Sequence, residues 1–429
     1  MPAKRQNTRA SAFAAAALLS LVLGGCVAAP DGGSDPNNPD QVEVFSGWTT
    51  ITDRAGFDAL IDVFGSQNPD IDLIDASVAG GGGSAARAAL TARLESGNPP
   101  DTFLATAGAG LTDYVESNQL QDLTGFYEQH QLDAVYRDTF LDLLRVDGKI
   151  YSVPVDIRRA NIVWTNSTLL RRAGVDPAVG RTTIRYWLAD LNRLRDSGID
   201  YPLALGEDWT EVQLFENVLI ADFGPVVYKD LWKNQEPWHS PALQTAVDDY
   251  NDLLDFVDPA SLAEDARDAI HRVVNGNAAY VVMIDTAAAD FQQAGTSGLE
   301  YASFPVPGTK SVFDFAVDSF TLPVQVAHED GAKAWLVSAS SVDGQVALNT
   351  KTGSIPARID VDPDTFPAAQ RAAVVSLQND TVAPSLSNGI AASPTWTAAI
   401  TDAVAKFRTV RRPDALTNAL IAAAKAALD

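Results

Sequence analysis

The hydrophobic pattern along this chain changes period repeatedly, and each change marks an element. Val42-Glu43-Val44-Phe45 is an apolar run of strand length, after which Phe57, Leu60, Ile61 and Phe64 recur at i, i+3, i+4 and i+7, one face of an α-helix. Ile71 to Val78 predicts a second strand. Gly80 to Gly83 then precede Ser84, an N-cap for a helix carrying Leu90 and Leu94, which Gly97-Asn98-Pro99-Pro100-Asp101 stops. Thr102 to Thr106 predicts a third strand. Further on, Ile150 to Val155, Asn161 to Trp164 and Tyr280 to Ile284 predict strands, and Thr183 to Leu194 predicts a helix. Trp396, Ile400, Val404 and Phe407 make one late helical stripe, and Ala415 to Leu428 another. Strands alternating with amphipathic helices indicate an α/β fold with mostly parallel sheets, in which ligands bind beyond the carboxyl ends of strands. That rule places residues 46–50 and 106–110 at a candidate site. The alternation recurs without a short internal repeat, which predicts two α/β lobes with the chain crossing between them more than once.

The first forty residues follow different rules. Lys4, Arg5 and Arg9 precede an apolar run from Ala12 to Leu23 that is too short for a stable membrane span and suits a signal-peptide core. It ends in Leu23-Gly24-Gly25-Cys26, which resembles a bacterial lipobox and makes residues 1–26 an expected lipoprotein signal with Cys26 as the lipidation site. As the chain's one cysteine, Cys26 leaves no partner for an internal disulfide. Pro, Gly, Asp, Asn and Ser dominate residues 27–40, which predicts a flexible tether. The expected location is extracytoplasmic, anchored to the membrane by lipid.

Composition narrows the chemistry. The 55 acidic residues outnumber 31 basic ones, three of which lie in the leader, so nucleic acid and anionic surfaces would be repelled and a neutral ligand fits better. His130, His239, His271 and His328 are scattered without metal-ligand spacing, and neither a G-x-S-x-G elbow nor a P-loop lysine occurs. These absences predict no catalytic residue, no metal and no cofactor. Trp48 and Trp209 instead stand in polar loop contexts, where a ring can stack on the flat C–H face of a sugar while carboxylates and amides take its hydroxyls.

Gly47-Trp48-Thr49, Ala79-Gly80-Gly81-Gly82-Gly83, Ser96-Gly97-Asn98-Pro99-Pro100-Asp101, Val153-Pro154-Val155 through Trp164 and Asn166, Leu203-Ala204-Leu205-Gly206, Leu214 to Val218, Pro307-Gly308-Thr309, Val317-Asp318-Ser319-Phe320 and Gly353 to Arg358 occur in this order. Taken together, they resemble the sugar-binding receptors of carbohydrate-uptake ABC transporters, most closely the glucose- and mannose-binding branch. The resemblance implies a two-lobed clamshell with hinge crossovers near 154–156, 318–320 and 353–356. Lobe 1 would comprise 41–153 plus 318–352, and lobe 2 154–317 plus 353–429. It also implies a monomer that passes its ligand to permease subunits. The ligand positions it implies are Trp48, Thr49, Thr106, Asp156, Arg158, Trp209, Asp285, Asp318, Thr352 and Asn388.

Several of these depart from the branch pattern. Gly47 replaces the first of two tryptophans, Thr106 a histidine, and Asp156 and Arg158 an asparagine and a histidine. Thr352 stands where lysine is usual, with Lys351 one residue earlier, and Asn388 where histidine is usual. Ala266 and Thr286 take two tryptophan positions. Smaller residues at Thr106, Ala266, Thr286, Thr352 and Asn388 predict a ligand bulkier than a free hexose. The competing expectations are a surface glycosidase working through two acids and a lipid-anchored adhesion or scaffold protein that has kept the fold.

Overall fold

A computed structural model describes residues 34–79 and 84–429. The expected lipobox, Cys26 and the Gly80–Gly83 turn lie outside those residues. Among the described residues there are twelve strands: β1 Gln41–Phe45, β2 Asp72–Asp75, β3 Thr102–Thr106, β4 Arg145–Val146, β5 Lys149–Ile150, β6 Ser152–Arg159, β7 Ile162–Asn166, β8 Leu203–Ala204, β9 Tyr280–Val282, β10 Tyr301–Pro305, β11 Val312–Thr321 and β12 Thr381–Pro384.

The first sheet runs β12-β11-β3-β1-β2, with β6 also on β11. Strand β1 lies parallel to both β2 and β3, as the alternating pattern predicts. The helix Ile51–Gln67 that follows β1 starts where Thr50 accepts the Asp53 N–H through its side chain, and it buries Phe57, Leu60 and Phe64. The predicted stripe is therefore its core face. Under it Trp335 stands edge-on to Phe57 and Phe320, giving this lobe an aromatic centre.

The second sheet runs β10-β7-β9-β8. Here the expectation of a mostly parallel sheet is corrected: β7 is antiparallel to both β10 and β9, and β8–β9 is the parallel pair. These strands are two to five residues long, and side-chain period reveals burial without direction. Its core is chiefly helical, with Trp187 and Tyr250 fully buried and Trp396, Ile400, Val404 and Phe407 facing inward from Pro394–Val410 as predicted.

Two long strands join the sheets. One edge of β11 is given to β6 over residues 315–321, while its other edge is shared, with β12 over 312–315 and β3 over 318–321. The backbone thus passes from one set of partners to the other between Phe315 and Asp318, and a bulge interrupts the β6 register just after it, between Asp318 and Ser319. A third connection touches the same place: Ile157 and Ile355 exchange backbone hydrogen bonds at 2.7 and 2.9 Å. Ile355, Ala357 and Leu377 pack with β1 and β6 in one apolar cluster, so packing continues past residue 353 on the first-lobe side. Residues 34–40, at the end of the expected tether, make defined contacts. His328 holds the Asp35 carbonyl at 3.0 Å through one ring nitrogen and Asp101 at 2.8 Å through the other.

Candidate functional site

Strand register decides which side chains meet at the crossover. Asp318 pairs with Asp156 of β6 on one side and Thr106 of β3 on the other, and residues directly opposed across strands share a face. Arg158, two residues beyond Asp156, lies on that face too. Asp318 is the one residue of β11 that keeps partial access to solvent.

Arg158 is the hub. Its Nε donates to Asp156 Oδ2 at 3.1 Å and stands 3.0 Å from Asp318 Oδ2, and its Nη1 donates to Asp53 Oδ1 at 2.9 Å. Asp53 belongs to the first turn of Ile51–Gln67, where the Thr50 hydroxyl donates to its carboxylate at 2.8 Å. Asp285 comes from the turn after β9 in the second lobe and accepts the Arg159 N–H at 2.9 Å through Oδ2. Two buried polar atoms here meet no protein partner: Arg158 Nη2 and Asp285 Oδ1.

The charges are unevenly balanced. Burial works against the Arg158 charge, but Asp156, Asp53 and Asp318 outweigh it and hold the guanidinium well above its ordinary range. Burial pushes the carboxyls of Asp156 and Asp318 up despite the attraction of Arg158. Burial also pushes Asp285 up to about 7, with the Arg159 N–H and both arginines pulling the other way. Arg159 faces elsewhere, donating to Asn161, Ser376 and the Val312 carbonyl.

The structure thus gathers Thr106, Asp156, Arg158, Asp285 and Asp318, and adds Asp53. The sequence carried a signal for Asp53, a Thr-x-x-Asp cap in the loop just beyond β1. Trp48 lies beside this group. It is 5% exposed, edge-on to Phe57 and Phe320, and its remaining face lies under Arg158, with Cζ 5.7 Å from the ring centre. It supports the guanidinium and offers no free face for stacking. Thr49 is half-buried in the same loop.

Trp209 is half-buried at the start of Asp208–Leu231, its ring N–H donating to Glu207 at 2.8 Å. Thr352 turns into the groove between its own helix and Ile51–Gln67. Its hydroxyl donates to the Leu348 carbonyl at 3.2 Å, and its methyl fills the place a Cβ on Gly56 would take. Asn388 donates to the Ser385 and Ser387 hydroxyls at 2.8 and 3.1 Å. Its loop docks on the turn after β3, where Ala109 N–H donates to the Ile390 carbonyl at 3.3 Å. Cavities of about 400 Å³ beside Arg181 and Tyr186 and about 330 Å³ beside Arg172 and Glu300 share no residue with the Arg158 cluster. Among the described residues no group of acids, histidines or cysteines is arranged to hold a metal.

Residues 48–346 match the family model described as bacterial extracellular solute-binding protein. The chain belongs to that family. This solute-binding protein is 28% identical over 423 residues to an uncharacterized ABC transporter extracellular-binding protein of Pyrococcus horikoshii, covering 96% of this chain and 94% of the relative. It is 24% identical to a xylose/arabinose-binding protein of Haloferax volcanii over 82% of this chain and 78% of that one. Among solved structures, the bacterial solute receptor AcbH, described as exclusive for β-D-galactopyranose, superposes with a TM-score of 0.78 at 15% identity, covering 91% and 99% of the two chains. A chitin oligosaccharide binding protein superposes at 0.77 and 17% identity, covering 90% and 98%. The solute-binding protein shares the two-lobed α/β fold of these receptors.

Proposed function

We propose that the protein captures a saccharide between its lobes at the Arg158 cluster and passes it, chemically unchanged, to an ABC import permease. The family and the sugar receptors among its relatives support this reading, and one observation in the site carries it. Arg158 Nη2, a donor, and Asp285 Oδ1, an acceptor, are buried with no protein partner, one on the hinge strand and one on the second lobe. A buried polar atom without a partner costs about 1–3 kcal/mol, so a polyol that accepts from one and donates to the other removes two such penalties at once. Asp318 and Asp53, still partly accessible, provide further acceptors for hydroxyls. A ligand touching both lobes favours the closed arrangement through its differential contacts. The residues that line the crevice in this reading are Thr49, Asp53, Thr106, Asp156, Arg158, Trp209, Asp285, Asp318 and Asn388. The receptor acts as a monomer held at the membrane surface by lipid on Cys26, a reading that rests on the leader and the Leu23-Gly24-Gly25-Cys26 motif.

A thermal-shift screen against a broad saccharide panel tests the binding reading. A true ligand at one hundred times its Kd adds about 2.7 kcal/mol of stability. A panel of mono-, di- and oligosaccharides in which none shifts the melting temperature would sink it.

A further inference from the structure

Four carboxyl groups converge on one guanidinium. Asp53, Asp156 and Asp318 each lie within 3.1 Å of Arg158, and Asp285 stands close enough to act electrostatically on both Asp156 and Arg158. Among the described residues none of the four forms an ion pair with any other lysine or arginine. The nearest further guanidinium, Arg159, directs its donors to Asn161, Ser376 and Val312 and pairs with Asp380. Asp285 itself forms no ion pair, and its buried Oδ1 has no donor.

We propose that the saccharide taken by this receptor carries a basic nitrogen, a protonated amine seated against Asp285 Oδ1, with one of its hydroxyl or ring oxygens accepting from Arg158 Nη2. This rests on the saccharide reading above and narrows it. A neutral sugar entering the crevice strips water from acids that one arginine already fails to balance, and a hydroxyl returns a hydrogen bond without a charge. An ammonium group supplies donor and counter-charge together, and charge-assisted bonds are roughly twice as strong as neutral ones. An anionic sugar meets the same four carboxyls with the wrong sign. The whole chain, at a formal charge of −24, also draws cations toward it.

The test uses matched disaccharides that share a frame and differ at one carbon, built from glucosamine, N-acetylglucosamine or glucose units in both β-1,4 and α-1,4 linkage. Calorimetry at pH 7 should show the ammonium member binding about 10- to 100-fold more tightly than the hydroxyl member of the same frame. Asp285→Asn should erase that preference, so that the ammonium and hydroxyl members of a frame bind the variant within about 3-fold of each other. Equal or tighter binding of the hydroxyl or acetamide member by the wild-type protein overturns the proposal and leaves the saccharide reading standing. Because that comparison needs no variant, it decides the matter even if Asp285→Asn does not fold. If no member of any kind binds, the saccharide reading fails and takes this inference with it.

Discussion

One face of β11 carries two acids four residues apart, Asp318 and Asp314, and their surroundings differ in kind. Asp318 keeps partial access to solvent and faces a guanidinium with an unused donor. Asp314 is completely buried, and neither of its oxygens meets a donor from the protein. Its neighbour is Glu216, which accepts from the Leu386 and Ser387 backbone N–H groups and from the Ser385 and Ser387 hydroxyls. Burial, reinforced by the like charge of Glu216, pushes the Asp314 carboxyl well above the carboxylate range, which favours its protonated form. Burial also pushes Glu216 up to about 7, against the pull of the groups that donate to it. The comparison separates two uses of an acid. At Asp314 the neighbour is a second carboxyl, whose own hydrogen bonds close among residues 385–387. At Asp318 they remain open toward the crevice.

Arg158→Met tests the open cluster most severely. Removing one partner of a buried ionic group leaves the others uncompensated, and a loss of about 3–5 kcal/mol in stability is expected near neutral pH. Burial holds the Asp156 and Asp318 carboxyls above their ordinary pKa, so the variant should regain stability as pH falls and they take up protons. Denaturant melts at pH 5 and pH 7.5 check both statements. A loss that does not depend on pH would mean the acids are balanced by something other than Arg158.

Asp318→Asn and Asp314→Asn form a matched pair of nearly identical shape change. Asp318→Asn should weaken ligand binding by about 10- to 100-fold, the worth of one charge-assisted bond, with a smaller effect on stability. Asp314→Asn should leave affinity unchanged, since its side chain faces Glu216. Calorimetry on the two variants, with the same ligand, breaks the distinction if they behave alike.

Stability against pH sharpens the closed side of the comparison. In the fold, the Glu216–Asp314 pair holds protons that the unfolded chain releases near pH 4 to 4.5. Folded protein therefore binds more protons than unfolded between about pH 4.5 and 7, and stability falls as pH rises through that window. Asp314→Asn removes one carboxyl and the repulsion it exerts, so the fall should shrink by about 1–2 kcal/mol. Melting temperatures at half-unit steps from pH 5 to 8 measure it. A variant whose profile overlays the wild-type curve would show that the pair does not share a proton.

How far the sequence disclosed this arrangement depends on the period each feature leaves behind. The helix after β1 and the stripe at Trp396, Ile400, Val404 and Phe407 were legible because burial repeats every three or four residues. Asp318 was legible through the resemblance carried by Val317-Asp318-Ser319-Phe320. The antiparallel second sheet was not, because short strands record which face is buried and nothing about direction. Nor did the Gly47-Trp48-Thr49 loop show that the Trp48 ring lies under Arg158, since that contact joins residues 110 positions apart. Asp53 had a local signal as a helix cap, and only the fold reveals that the same carboxylate also meets Arg158.

Thr352 marks the outer limit of the comparison and carries the smallest expected effect. The resemblance places a lysine there in related receptors, which would make it a ligand position, whereas its methyl here occupies the groove opposite Gly56. Its hydroxyl is shared between the Leu348 carbonyl and Ser354, and Ser354 in turn donates to Asn349, so every polar atom is used within its own turn. Thr352→Ser keeps the hydroxyl and deletes only the methyl, at a cost of about 1 kcal/mol from lost apolar burial. Affinity should stay within about 2-fold of wild type, because 1.4 kcal/mol is needed for a tenfold change and the deleted group faces away from the crevice. A tenfold loss of affinity with stability intact would move Thr352 into the site and extend the open cluster around the end of β6.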